Sequence, residues 1–238
     1  MSRPHCGWKG RVMEEVFDVV DEEGRPTGET VLRSEAHAKG IRHRTAHIWV
    51  IRRCPKRNGQ EEEKVNGTGK AAGAEEGSIS KEDRKAGKAG EEEGGKPERV
   101  EVLLQKRAMD KDSFPGQYDT SSAGHIHAGD EPRVSAVREL GEELGIKAGP
   151  DDLLYAGKFS VSYEEEFHGK PFLDNEVAFV YVYDKPVGLK DLKLQKEEVE
   201  DAGWFDLEKT WAAVQRNDSM YCVPPGGLRV LRQWLSRK

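Results

Sequence analysis

Apolar residues along the chain gather in short runs of strand length, separated by glycine, proline and clusters of charge. Thr45 to Arg52 (TAHIWVIR) and Arg99 to Arg107 (RVEVLLQKR) are dense in β-branched and large apolar side chains and read as strands. An earlier pair, Glu15 to Val20 and Thr27 to Leu32, flanks the turn DEEGRP, and further strands are expected over Leu153 to Tyr163 and Glu176 to Tyr183. A helix is expected from Glu131 to Leu144, with Asp130 as its N-cap, Pro132 in its first turn and Gly145 as its stop. Stepping about 100° per residue puts Val134, Val137, Leu140 and Leu144 on one face and Glu139, Glu142 and Glu143 on the other. Two helices close the chain, near Leu207 to Arg216 and near Gly227 to Arg237, after the breaker VPPGG. Strands and helices mix without regular alternation, which predicts a single α/β domain with a mixed sheet between helices rather than a doubly wound parallel sheet.

Residues 55 to 98 interrupt this pattern with no aromatic side chain and few aliphatic ones larger than alanine. Such a segment cannot bury a core, and its Gly, Lys and Glu content reads as a disordered insertion in a surface loop between two paired strands. Closing a longer loop costs only about 0.6 kcal/mol per doubling of length, so the pairing survives it. Replacing residues 55 to 98 by a short Gly-containing turn is therefore expected to leave melting temperature and activity nearly unchanged. A large drop in either would show that the segment belongs to the folded structure.

Composition narrows the function classes. Across 238 residues the hydrophobic fraction is 35% and the formal charge is -6, so no basic face for a nucleic-acid polymer is indicated. Cys6, Cys54 and Cys222 are an odd set without CxxC spacing, which argues against a disulfide framework or thiolate zinc site and for a reducing, cytoplasmic setting. The longest apolar stretches, AHIWVI and VAFVYVY, fall well short of the roughly 20 residues that span a bilayer, and the N-terminus lacks a secretory core.

Candidate chemistry concentrates on the expected helix 131–144. Glu139, Glu142 and Glu143 stand at i, i+3 and i+4, where like charges destabilise a helix by a few tenths of a kcal/mol per pair. A solvated acidic face is the bland explanation for such a trio; a hard-cation site suited to Mg²⁺ is the functional one.

The surrounding run, GHIHAGDEPRVSAVRELGEELGI from Gly124 to Ile146, resembles the Nudix box. Gly124 leads it, and Arg138 through Ile146 (RELGEELGI) fills its second half; Asp130 stands where the family usually has Glu. The resemblance implies an α/β/α sandwich spanning the chain as one domain, with Mg²⁺, or Mn²⁺ in its place, held by Glu139, Glu142 and Glu143. Arg138 would orient Glu139, and Glu143 is the choice of general base. The implied reaction is attack of water on phosphorus in a small organic diphosphate, either nucleoside or prenyl. His125 and Trp204 are the candidate substrate contacts, with an acid among Glu197, Glu198 and Glu200 as an alternative to Trp204, and a homodimer is compatible with the chain.

A second resemblance, to isopentenyl diphosphate isomerases and their hydrolase-like relatives, rests on EEVFDVVDEEGRPTGE, EAHAKGIRHRTAH, KDSFPGQYDTSSAGH and DNEVAFVY. It implies a metal among His37, His43, His125, Asp174 and Glu176. The isomerases also need a cysteine where this chain has Ala123, which cannot transfer a proton near neutral pH. Hydrolysis on an isomerase-like scaffold is therefore the leading expectation, isomerisation the second, and a catalytically silent binding module the third. On this reading His37 and His43 are loop or core histidines held by hydrogen bonds, and His47 is a structural strand residue.

Overall fold

The computed structural model describes residues 14–55, 98–111, 113–167 and 169–237. It divides the chain into one unit of Met1–Arg53 with Val100–Lys238 and another of Cys54–Arg99; apart from the ends of the two strands that lead into it, the expected insertion lies outside the described residues. The helices and the body of the sheet belong to the first unit.

A hairpin of β1 (Val16–Val20) and β2 (Pro26–Leu32) opens the fold and is followed by the short helix α1 (Arg33–Lys39), which the apolar pattern does not predict. The main sheet runs β5 (Tyr118–Asp119), β4 (Glu98–Arg107), β3 (His43–Pro55), β8 (Lys170–Tyr183), β7 (Leu154–Phe167). Two further strands attach to it, β6 (Ser122–His125) on β3 and β9 (Val199–Asp206) on β4. β3 pairs parallel with β8 and antiparallel with β6, so the sheet is mixed, as the irregular order of elements predicts.

The central strands are buried on both faces because alternate side chains enter two separate cores. Ala46, Ile48, Val50, Leu103 and Tyr181 pack beneath Ala136, Leu140 and Leu144 of α2 (Pro132–Leu144). Trp49, Ile51, Val102, Val180 and Val182 pack against Leu207 and Val214 of α3 (Leu207–Gln215) and Leu228, Leu231 and Trp234 of α4 (Pro225–Leu235). The result is a sandwich with α2 on one face and α3 and α4 on the other. No helix among the described residues is long and apolar enough to cross a membrane.

Two details of α2 differ from expectation. Its N-cap is Glu131 rather than Asp130, and no side chain caps it. Pro132 holds the preceding residue in an extended conformation, which moves the cap next to the proline. Val134 is 54% exposed, whereas Glu139 and Glu143 are buried. The inward side of α2 thus has an apolar part against the sheet and an acidic part against a cleft.

Candidate active site

β6 and α2 build one wall of that cleft, which has a volume of about 1590 Å³. Gly124 on β6 makes room for Glu139: a Cβ there would lie 2.2 Å from its carboxyl carbon, and the carboxylate would have to move aside. Arg138 fastens the corner by donating from Nη2 to the His125 carbonyl at 3.0 Å, with Nη1 2.9 Å from Glu139 Oε1 and 3.3 Å from Glu142 Oε2. Glu143 lies deeper, where its Oε2 accepts from the Ala123 N–H at 3.2 Å and from the Gln105 amide at 3.5 Å.

Burial decides the protonation of these acids. It pushes Glu139 up to about 7, against the lowering effect of Arg138, and pushes Glu143 up to about 8, with the Glu139 charge adding to the rise. Two buried carboxylates side by side are costly when ionised unless a cation joins them. Glu142 keeps about half of its side chain exposed. The solvated-face explanation therefore fails for Glu139 and Glu143.

A second cluster forms from residues distant in sequence. Parallel pairing of β3 with β8 sets His43 against Glu176, antiparallel pairing of β3 with β6 brings up His125, and α1 supplies His37. Ligand atoms of His37, His43 and His125, and likewise of His43, Asp174 and Glu176, lie within 4.8 Å of one another. The three helix glutamates do not form such a group. His37 Nδ1 to Asp174 Oδ1 is 3.7 Å, His43 Nε2 to Glu176 Oε1 is 3.7 Å, and His125 Nε2 to Glu176 Oε1 is 3.8 Å, all too long for hydrogen bonds.

Both ring nitrogens of His37, Nε2 of His43, Nε2 of His125 and Oδ1 of Asp174 are buried without a hydrogen-bond partner. His43 keeps one bond, from Nδ1 to the Ile41 carbonyl at 2.9 Å. His43 thus keeps on one nitrogen the hydrogen bond expected of a core histidine, while its Nε2 is left without a partner. Burial lowers the pKa of His37 to about 4 and lowers those of His43 and His125, so all three stand neutral, the form that ligates a metal. Burial also raises Asp174 and Glu176, the second further through the charge of the first. Three imidazoles with two carboxylates are the donor set of a borderline transition metal rather than of Mg²⁺.

Of the expected substrate contacts, His125 lines the cleft, as do Glu197 and Glu198, with Glu198 paired to Lys111. Trp204 does not. On β9 it faces Leu103, packs on the α2-side core and carries the Arg52 guanidinium 4.4 Å from its ring centroid. Arg33 and Arg107 also line the cleft, paired with Glu15 and Asp119; sequence reasoning misses them because single basic residues carry no spacing signal.

A family model described as the NUDIX domain matches residues 91–223. An uncharacterized Nudix hydrolase of Clostridium acetobutylicum is 33% identical over 186 residues, covering 78% of this chain and 67% of that protein. Nudix hydrolase 3 of Arabidopsis thaliana is 32% identical over 210 residues; the match takes in 87% of this chain but spans only 21% of the longer plant protein. An isopentenyl-diphosphate Delta-isomerase of Dinoroseobacter shibae is 32% identical over 121 residues, 51% of this chain and 65% of that one.

Proposed function

Because the chain belongs to the Nudix domain family, we propose that it is a Mg²⁺-dependent hydrolase that cleaves the diphosphate bond of a small organic diphosphate by attack of water on phosphorus. The observation that carries this reading is the pair of buried carboxylates, Glu139 and Glu143, set in the cleft wall with raised pKa values that a bound cation would reverse.

Glu139, Glu142 and Glu143 are the oxygen donors that would hold Mg²⁺. When bound, the ion neutralises diphosphate oxygens and lowers the pKa of a water molecule. Arg138 keeps Glu139 and Glu142 oriented through its two ion pairs and is itself fixed on the His125 carbonyl. Glu143, positioned by the Ala123 N–H and the Gln105 amide, accepts the proton of the attacking water. His37, His43, His125, Asp174 and Glu176 have the chemistry for a second divalent cation, of the borderline kind that accepts imidazole nitrogen together with carboxylate oxygen.

That second cluster also favours the other reading, an isoprenoid diphosphate isomerase. Ala123 counts against it, since a methyl group has no proton to give at the position where the isomerases use a thiol. Phosphate, pyrophosphate or phosphate monoester released from a panel of nucleoside triphosphates, ADP-ribose and prenyl diphosphates, with Mg²⁺ and again with chelator, tests the proposal. Chelator-sensitive release from at least one member is expected; no release from any would end it.

A further inference from the structure

We infer that His47 is a specificity-determining residue of the cleft, which hydrogen-bonds a hydroxyl or amide of the substrate's organic group and so selects polar organic groups over hydrocarbon ones. The inference rests on the hydrolase reading and adds to it a residue outside both carboxylate and histidine clusters.

His47 lies on β3, on the face that carries Trp49 and Ile51 toward α3 and α4, opposite Ala123 of β6 and beside Val180 of β8. Its ring stands edge-on to Phe159 of β7, with centroids 5.4 Å apart and planes at 83°. Phe159 in turn is pressed by the start of α4, where a Cβ on Gly226 would come within 2.4 Å of its ring. These contacts fix the imidazole at the cleft wall, where it is only 6% exposed.

Nδ1 of His47 is buried without a hydrogen-bond partner. Most other cleft-lining residues with such orphaned atoms, His37, His125 and Asp174, belong to the histidine and acid cluster, and Arg138 binds the helix acids. His47 belongs to neither. Burial holds it neutral, so it offers one donor and one acceptor rather than a charge. An orphaned buried polar atom costs about 1–3 kcal/mol, a cost that a hydrocarbon ligand leaves in place and a hydroxyl-bearing one removes. Ser160, Ser162, Asn217 and Ser219 also line the cleft, adding neutral polar groups in keeping with such a ligand. Its volume of about 1590 Å³ exceeds the roughly 300–1,000 Å³ typical of small-molecule pockets, leaving space for more than a diphosphate with a short tail.

The test compares wild type, His47→Leu and His47→Asn on ADP-ribose and the nucleoside triphosphates against isopentenyl diphosphate, with a melting curve for each variant. Wild type should favour a hydroxyl-bearing member. His47→Leu should lower kcat/KM on that member at least about tenfold more than on isopentenyl diphosphate, chiefly through KM. His47→Asn, which keeps a donor and an acceptor near the Nδ1 position, should recover most of the loss. A wild type that favours isopentenyl diphosphate, or a His47→Leu variant that changes both substrates equally, overturns the inference. A wild type that releases no phosphate, pyrophosphate or phosphate monoester from any of them with Mg²⁺ fails as a hydrolase, and the inference falls with it.

Discussion

Glu142→Gln is expected to lower turnover at saturating Mg²⁺ by about 10²- to 10⁴-fold, because in the proposed hydrolase it removes a metal-binding charge worth several kcal/mol at the transition state and each 1.36 kcal/mol is tenfold. Its structural cost should be small. The Glu142 side chain is half exposed and its pairing with Arg138 at 3.3 Å is a surface contact, worth about 0–1 kcal/mol. Arg138 retains Glu139 and the His125 carbonyl, so the corner between β6 and α2 stays tied. Relief of repulsion with the neighbouring acids offsets part of what is lost. Were Glu142 only part of a solvated face, turnover and the Mg²⁺-induced thermal shift would both match wild type, and paired kinetics and melts distinguish the two cases.

Glu143→Gln should also abolish most turnover, and by contrast it should stabilise the metal-free protein at pH 8 by about 1–3 kcal/mol. The substituted amide keeps an oxygen to accept from Ala123 and Gln105 but carries no charge to bury. The sign of the pH dependence follows from the raised pKa. Between the ordinary carboxyl value of 4.5 and about 8 the folded protein retains a proton that the unfolded chain has lost, so wild-type stability falls as pH rises through that window. The slope should be shallower in Glu143→Gln, where Glu139, raised to about 7, still contributes. In the proposed site Mg²⁺ would bind the deprotonated acids, so its stabilising shift in wild type should be larger at pH 8 than at pH 6. Melts across that range without metal check the claim; an identical pH slope in both proteins would remove Glu143 from the buried pair.

The long strands and α2 to α4 were legible in the sequence because their apolar periods extend over several residues. β6 and β9 were not identified as strands: β6 has only four residues, Ser122–His125, and β9 carries the acidic, glycine-containing VEDAGWFD. α1 was missed because a seven-residue helix with a leucine N-cap offers neither a period nor a capping signal. On α2 the helical period placed the glutamates opposite the apolar stripe, but could not show that this second face meets a cleft instead of solvent. The packing of Trp204 was hidden for a related reason: its register opposite Leu103 sets it against the core, and register is a property of the paired sheet. The histidine and acid cluster draws on residues from 37 to 176, so no local spacing could reveal it and only family resemblance pointed to it. His47 read as structural because it lies inside an expected strand; that it lines the cleft and carries an orphaned nitrogen emerges only when β6 and β7 are in place.

The most direct measurement is a Mg²⁺-dependent reaction in ¹⁸O-labelled water, run on the best substrate of the diphosphate panel and on isopentenyl diphosphate, with products read by mass spectrometry. Water attack at phosphorus places one ¹⁸O in a released phosphate, pyrophosphate or phosphate monoester, and the label should disappear with chelator and in Glu142→Gln. Conversion of isopentenyl to dimethylallyl diphosphate with the diphosphate intact and unlabelled, and no labelled phosphate from any other substrate, would contradict the hydrolase and identify an isomerase instead.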